Sequence, residues 1–196
     1  IVGGISIIGT TGIVEPRSTD AYKRSLSLQL DVLKAAGYKK ATLVLGYVGE
    51  KYCKEVLGLN LNSIIKIGDH VGFMLLECAK KNIKSVLLVG HIGKLIKVAN
   101  GQFDTNIKFG DNRIETIACY AKLCGAKSRT IEEISAQVSA EATVGILKKR
   151  GLMRTFDIIA KRTVDAVDEF VKGKLSVTCI LLSLSGEELS MYPIER

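Results

Sequence analysis

The chain has 196 residues, of which 47% are hydrophobic and 24% are charged, and this composition excludes a disordered protein. Lysine and arginine number 28 against 20 aspartate and glutamate, so the formal net charge is +8 and an acidic partner is expected. No stretch approaches the roughly 18 consecutive apolar residues of a membrane helix. We therefore expect a single α/β domain over residues 1–196, with no membrane contact.

The five cysteines are odd in number and form no C-x-x-C pair. This usage indicates reduced, buried thiols and a cytoplasmic location. With only two histidines in the chain, a zinc site is not expected.

The first half of the chain alternates predicted strands with predicted helices. Residues 5–8 form a short strand candidate, and Ser18 is placed to cap a helix that runs to Gly37. Apolar runs predict three further strands, at residues 41–45, 64–67 and 85–89. Near-continuous apolar strands are typical of parallel sheets covered on each side. The fold class expected is therefore α/β, an open doubly wound sheet, mostly parallel, with helices on both faces.

The second half of the chain is predicted to be mainly helical before a last strand. Asp111 is expected to cap a helix that reaches Gly125, and Thr130 with Glu133 predicts a capping box that opens another helix. A third helix is expected from about Thr155 to Val171. Residues 176–184 predict the final strand, for which an antiparallel position at a sheet edge is considered.

Two glycines a few residues apart follow each strand predicted in the first half. In a parallel sheet these loops share the carboxyl edge, where open α/β folds bind ligands. Glycine lets backbone N–H groups approach a ligand, and helix N-termini favour anions. Tight packing of strand against helix is the alternative explanation for each glycine. The four pairs are Gly9/Gly12, Gly46/Gly49, Gly68/Gly72 and Gly90/Gly93.

Both histidines, His70 and His91, fall in these loops. A histidine at a helix start can act as an acid or base near neutral pH, or it can simply cap the helix or face solvent. The P-loop and G-x-G-x-x-G patterns are missing, so a bound adenosine would need another acid, with Glu15 and Asp69 the nearest candidates. Four cations are expected at the same edge: Arg17, Lys51, Lys94 and Lys97.

A second basic cluster lies at Lys148, Lys149 and Arg150. Acidic residues are interspersed after it, and aromatic residues make up only 6% of the chain. Single-strand binders normally supply aromatic stacking platforms, so a solvated helical face is favoured and no nucleic-acid partner is expected.

Two motifs resemble the signatures of the CbiD family of methyltransferases in anaerobic cobalamin biosynthesis. The first runs through residues 9–16 and the second through residues 90–97, and residues 101–105 and 111–113 extend the likeness. The resemblance runs through most of the chain. Asn106 stands where the family pattern has a histidine, and His70 lies where the family is usually apolar or aromatic.

The resemblance implies methyl transfer from S-adenosylmethionine to C-1 of cobalt-precorrin-5B, giving cobalt-precorrin-6A. Family members are usually much longer and begin with another domain. The chain resembles their C-terminal half, so the N-terminal domain of the same full-length protein is an expected partner, and a homo-oligomer is also considered. The alternative is a tetrapyrrole-binding module that has no activity alone.

The combined prediction assigns His91 as catalytic. S-adenosylmethionine is expected to contact Gly9, Thr10, Thr11, Gly12, Glu15 and Asp69. The cobalt-precorrin substrate is expected to contact Gly90, Gly93, Lys94, Lys97, Asp104, Thr105 and Arg113. No protein metal site is expected, because the tetrapyrrole brings its own cobalt.

Overall fold

A five-stranded sheet organises the computed structural model, which describes residues 18–193. The strands are β1 (Lys40–Val44), β2 (Ile64–Lys66), β3 (Ser85–His91), β4 (Ser176–Leu182) and β5 (Glu188–Tyr192). The helices are α1 (Thr19–Ala35), α2 (Tyr47–Glu55), α3 (Val71–Lys80), α4 (Ile92–Ala99), α5 (Arg113–Leu123), α6 (Ser128–Ser135), α7 (Ala140–Lys149) and α8 (Arg154–Val171).

The strand order is β2-β1-β3-β4-β5, with β5 antiparallel to β4 and all other pairs parallel. The chain leaves β1 toward β2 on one side and leaves β3 toward β4 on the other, so the winding reverses between β1 and β3. Open α/β sheets bind their ligands at the carboxyl ends of the strands, next to the point where the winding reverses. The predicted α/β class and mostly parallel sheet are confirmed. The strand predicted at residues 5–8 lies outside the described residues.

The apolar strands bury side chains on both faces of the sheet. In β3, Val86 and Leu88 join the large core formed with α1, α3, α4 and α8. Leu87 and Val89 point the opposite way, into a smaller cluster that includes Tyr52 of α2. This two-sided burial explains why the strands read as continuous hydrophobic runs.

Helix α1 follows its prediction closely. The Ser18 side chain accepts a hydrogen bond from the Ala21 N–H at 3.3 Å, which caps the helix. Leu26, Leu30 and Leu33 are its buried stripe. The helix begins at the carboxyl edge, where the Tyr22 hydroxyl lies 3.4 Å from the carbonyl oxygen of Lys66, the last residue of β2.

The position considered for the last strand is wrong. Strand β4 is an interior strand that pairs in parallel with β3 and antiparallel with β5. Its side chains from Val177 to Leu182 are buried, as in the other central strands. The antiparallel edge strand is β5, and its mixed sequence from Glu188 to Tyr192 carries a weaker hydrophobic signal.

Two predicted helix starts are displaced in the structure. Helix α6 begins at Ser128, so Thr130 lies inside it and is buried, while Glu133 pairs with Arg150 at 2.8 Å instead of capping. Asn112 is the N-cap residue of α5 and makes no side-chain capping bond, whereas Asp111, one residue earlier, accepts a long hydrogen bond of 3.4 Å from the Arg113 N–H and also binds the Arg113 side chain. Helix α7, capped by Ser139, had no predicted counterpart.

The five cysteines are free thiols, but the expectation that they are buried holds for only three of them, because Cys119 is exposed and Cys124 is half-buried. Burial raises the pKa of Cys53 to about 11, and those of Cys78 and Cys179 to about 12. These three thiols therefore stay protonated near neutral pH. Within residues 18–193, no helix is both long and apolar enough to cross a membrane.

Close packing at Gly72 gives a stability prediction. A Cβ atom there would lie 2.8 Å from Phe103 Cβ and 3.2 Å from Phe170 Cζ. The rings of these two phenylalanines stack on each other, with their centroids 3.9 Å apart. We expect Gly72→Ala to lower the free energy of unfolding by roughly 1–3 kcal/mol. Gly145→Ala is the matched control, since a Cβ there meets nothing within 4 Å; it should stabilise by about 0.5–1 kcal/mol. Urea unfolding measures both, and a neutral Gly72→Ala would contradict the packing argument.

Candidate functional site

A cavity of about 330 Å³ lies at the carboxyl edge of the sheet. Its walls come from the connection after β2, the end of β3, the first turns of α4, the loop that follows α4, and the start of α5. We call it the edge pocket. The residues that line it are Asp69, His91, Gly93, Lys94, Lys97, Thr105, Asn106, Ile107 and Arg113.

Asp69 joins three of these segments. Its Oδ1 accepts hydrogen bonds from Lys94 Nζ at 2.9 Å and Thr105 Oγ1 at 2.7 Å, and its carbonyl oxygen accepts one from the Thr105 N–H at 3.1 Å. Burial acts to raise the pKa of Asp69, but the hydrogen bonds from Lys94 and Thr105 outweigh it and hold that pKa below its usual value. Asp69 is therefore a carboxylate. Among residues 18–193, its Oδ2 has only a long contact, 3.5 Å, to the Asn106 amide.

His91 caps helix α4 with its own ring. Nδ1 accepts a hydrogen bond from the Gly93 N–H at 3.1 Å, so the proton of the neutral ring is on Nε2. Nε2 lies 2.9 Å from Glu141 Oε2, to which it donates. Burial, together with the charges of Arg113 and Lys94, lowers the pKa of His91 more than Glu141 raises it. Both ring nitrogens of a neutral imidazole are thus bonded within the protein.

Lys97 is the unusual cation of the edge pocket. Only 2% of the residue is exposed, and Nζ donates to the Gly110 carbonyl oxygen at 3.0 Å. The neighbouring cations already have carboxylate partners, Asp69 for Lys94 and Asp111 for Arg113. Within residues 18–193, no carboxylate is in ion-pair contact with Lys97, although its charge helps to lower the pKa of Asp111, the partner of Arg113. Burying an ammonium that has no carboxylate in direct contact is costly, which makes Lys97 the group best suited to bind an anion.

Close packing explains the glycines at four positions of the repeated loops. A Cβ atom on Gly49 would lie 3.0 Å from the Val89 carbonyl oxygen, and one on Gly90 would lie 3.2 Å from Leu45 Cβ. One on Gly93 would lie 2.9 Å from His91 Cε1, because the capping ring folds over that residue. At these sites and at Gly72 the packing explanation accounts for glycine, and ligand contact at Gly90 and Gly93 stays a prediction.

The structure brings together most of the described residues that were predicted as site residues. Seven of them line the edge pocket, namely Asp69, His91, Gly93, Lys94, Lys97, Thr105 and Arg113. Asp104 lies beside it, with its Oδ1 accepting from the Asn106 N–H at 3.1 Å and its Oδ2 3.9 Å from His70 Nδ1. Lys51 lines a separate cavity on α2. Gly9, Thr10, Thr11, Gly12, Glu15 and Arg17 lie outside the described residues.

Three residues of the site had no predicted role. Asn106 and Ile107 line the edge pocket, and Glu141 holds the His91 ring. Asn106 was noted only as a departure from the family pattern. Glu141 is 50 positions from His91 and starts a helix that was not predicted, so no local signal connected the two.

The basic cluster at residues 148–150 is partly neutralised on the surface. Lys148 pairs with Glu187, and Arg150 pairs with Glu133 at 2.8 Å. Among the described residues, no group of three or more histidine, cysteine, aspartate or glutamate side chains is arranged to hold a metal ion.

The comparisons with known proteins point to one family. Residues 104–193 match the profile described as CbiD, C-terminal domain. Three relatives carry the name cobalt-precorrin-5B C(1)-methyltransferase. The Methanocaldococcus jannaschii protein is 40% identical over 98% of this chain and 53% of its own length. The Photorhabdus laumondii protein is 40% identical over 88% of this chain and 46% of its own length. The Moorella thermoacetica protein is 38% identical over 100% of this chain and 54% of its own length.

The chain therefore spans about half the length of the curated relatives that it matches. No solved structure matches it.

Two lysine substitutions should separate a binding role from a structural one. We expect Lys97→Met to leave the free energy of unfolding unchanged or to raise it by about 1 kcal/mol, because an apolar chain replaces an unpaired buried charge. Lys94→Met should lower it by about 1 kcal/mol, because Asp69 loses its cation. Chemical denaturation measures both variants. Loss of more than about 2 kcal/mol in Lys97→Met would show that the ammonium supports the fold.

The state of His91 gives a pH prediction. Folding lowers the pKa of His91 below its usual 6.5, so below that pH the unfolded chain binds more protons than the folded chain. The contribution of His91 to the free energy of unfolding is complete above pH 6.5 and is lost as the pH falls through the folded-state pKa. His91→Asn, which retains a capping oxygen, should remove this part of the pH dependence.

Imidazole NMR titration checks the same assignment directly. The chain has only two histidines, and the signal missing from His91→Asn identifies His91. A measured pKa at or above 6.5 for that signal would contradict the assigned neutral state.

Proposed function

Because the chain belongs to the CbiD family, we propose that it serves the methylation of cobalt-precorrin-5B at C-1 in anaerobic cobalamin biosynthesis, with S-adenosylmethionine as methyl donor. The family profile and the relatives named for this reaction support the proposal. The product would be cobalt-precorrin-6A.

The observation that carries the proposal is the buried ammonium of Lys97 in the edge pocket. A cobalt-precorrin bears several acetate and propionate side chains, so it is a polyanion. Lys97 has 2% exposure and no carboxylate partner among the described residues, and one ligand carboxylate would satisfy it. Lys94 and Arg113 stand beside it, but each is already paired with an acid, so Lys97 is the cation that a ligand carboxylate would meet.

The part assigned to the protein is mainly to position the substrate. The attacking group is a ring carbon of the substrate, so a covalent enzyme intermediate is not needed. Lys97 anchors a carboxylate, while the ring of His91 fixes the first turn of α4 and so fixes where Lys97 emerges. Orientation of this kind can supply a large part of the rate enhancement in a two-substrate reaction.

S-adenosylmethionine supplies an already activated methyl group when it is bound. Among the described residues, Asp69 fits a hydroxyl group of that cofactor, because its Oδ2 has only the long contact to Asn106. The other residues proposed for the cofactor precede α1, which begins at the same edge of the sheet as Asp69.

A tetrapyrrole-binding module without activity of its own is the second candidate. Both ring nitrogens of His91 are engaged, so acid or base chemistry there would require the loss of a hydrogen bond to Gly93 or Glu141. In addition, the chain spans about half the length of its relatives. If the chain is a binding module, the other half of a full-length protein of this kind supplies the cofactor site or the chemistry. That other half is then the partner of this domain.

Methyl transfer from labelled S-adenosylmethionine to cobalt-precorrin-5B tests the proposal. Loss of one charge-assisted contact should make Lys97→Met about 10- to 100-fold lower in kcat/KM, mostly through KM. Lys161→Met is the control, because Lys161 is an exposed lysine on α8 that pairs with Asp165, and it should behave as wild type. Equal activity in Lys97→Met and wild type would remove Lys97 from the substrate site.

The same assay separates the two candidates when the full-length Methanocaldococcus jannaschii relative is run in parallel. Turnover by the chain alone supports the enzyme, whereas tight binding of cobalt-precorrin-5B without turnover supports the module. Calorimetry with S-adenosylhomocysteine then locates the cofactor site. Absence of heat with this chain, under conditions where the full-length relative binds, assigns that site to the remainder of the protein.

A further inference from the structure

A short turn beside the edge pocket exposes two large apolar side chains. Residues Ile107–Phe109 form one turn of 3-10 helix. Ile107 is 66% exposed and Phe109 is 57% exposed, although both residues are of types that folded chains usually bury. Ile107 also lines the edge pocket together with Lys97 and Arg113. We call this feature the apolar turn.

The apolar turn is held from both sides by hydrogen bonds. Before it, Asn106 Oδ1 accepts from the Lys108 N–H at 3.1 Å, and the Asn106 carbonyl oxygen accepts from the Phe109 N–H at 3.2 Å. After it, the Gly110 N–H donates to the Ile107 carbonyl oxygen at 3.0 Å. Thr105, one residue upstream of Asn106, is fixed to Asp69. The two exposed side chains therefore start from a well-anchored backbone.

The apolar turn and the buried ammonium are directly connected. Lys97 Nζ donates to the carbonyl oxygen of Gly110, the residue that follows Phe109. Gly110 has a φ angle of +112°, a conformation that favours glycine, and nothing within 4 Å would meet a Cβ there. An anion-binding group and an exposed apolar surface thus meet in one segment of the chain.

We propose that Ile107 and Phe109 form the platform on which the face of the tetrapyrrole ring rests while Lys97 holds one of its carboxylates. This inference rests on the proposed function and assigns substrate specificity to the apolar turn. Charge complementarity selects the occupant. A small anion such as phosphate leaves the apolar surface exposed, and a purely apolar partner leaves Lys97 without a counterion. A macrocycle with a broad apolar face and carboxylate side chains satisfies both.

The ring of Phe109 fits this role in a second way. Lys108 Nζ lies 4.8 Å from the centre of the Phe109 ring, so one face of the ring carries a cation–π contact. A flat conjugated ligand can pack against an aromatic ring of this kind with a large contact area.

Binding of two carboxylate probes tests the platform. The first is cobyrinic acid, a corrinoid whose acetate and propionate groups are free. The second is 1,2,3,4-butanetetracarboxylate, which has no ring. The double variant I107S/F109S should bind cobyrinic acid at least about 10-fold more weakly than wild type and bind the tetracarboxylate equally well. Lys97→Met should weaken binding of both probes.

The matched control is Leu123→Ser. Leu123 is 68% exposed at the end of α5 opposite to Arg113, about 15 Å along that helix. The Leu123→Ser variant should bind both probes as wild type does. Circular dichroism and urea unfolding verify that the variants are folded, as expected for substitutions of exposed side chains.

The outcomes separate this inference from the proposed function. Equal binding of cobyrinic acid by wild type and I107S/F109S would overturn the platform and leave the carboxylate site in place. Failure of wild type to bind cobyrinic acid, under conditions where the Methanocaldococcus jannaschii relative binds it, would overturn both. A double variant that alters the sedimentation of the chain but not ring binding would assign the apolar turn to a protein interface and so overturn the platform.

Discussion

The carboxylate of Asp69 is the contact on which the edge pocket depends. It lies just after β2, yet it binds Lys94 on α4 and Thr105 in the following loop. The backbone carbonyl oxygen of Asp69 makes a third contact, by accepting a hydrogen bond from the Thr105 N–H. Three segments that the sheet alone would leave independent are therefore held in one arrangement. The lowered pKa of Asp69 means that the carboxylate form, which makes these contacts, is the form present near neutral pH.

The capping ring of His91 has a comparable effect on the other side of the pocket. It takes up the Gly93 N–H that an anion at the start of α4 would otherwise use, so the helix N-terminus is not where a ligand anion binds best. Under the proposed function, a ligand carboxylate is bound instead by Lys97, one turn further along the same helix. Glu141 in turn fixes the ring and accepts a hydrogen bond from the Leu184 N–H, which links the pocket to the connection between β4 and β5.

Local signals in the sequence predicted the elements well where one segment determines its own structure. Ser18 caps α1 and the stripe from Leu26 to Leu33 is buried, because capping and helical periodicity act over a few residues. The sequence also predicted that separate loops share the carboxyl edge, because that follows from the parallel sheet. It could not predict that Glu141 binds His91, or that β4 is interior, since these depend on pairings far apart along the chain. The residues before Ser18 lie outside what the structure tests.

The segment from Lys97 to Gly110 departs twice from the usual rules of burial. It buries an ammonium that has no carboxylate in ion-pair contact among the described residues, and about ten residues later it exposes an isoleucine and a phenylalanine. Each feature alone lowers stability or solubility, and selection for the fold alone would favour the reverse placement. Because both occur where Lys97 Nζ contacts Gly110, a single ligand with an apolar face and an anionic edge would compensate for both. Because this domain also exposes other large apolar side chains, such as Val138 and Leu123, it is the connection of the exposed pair to Lys97 that favours a carboxylated macrocycle over a small soluble anion.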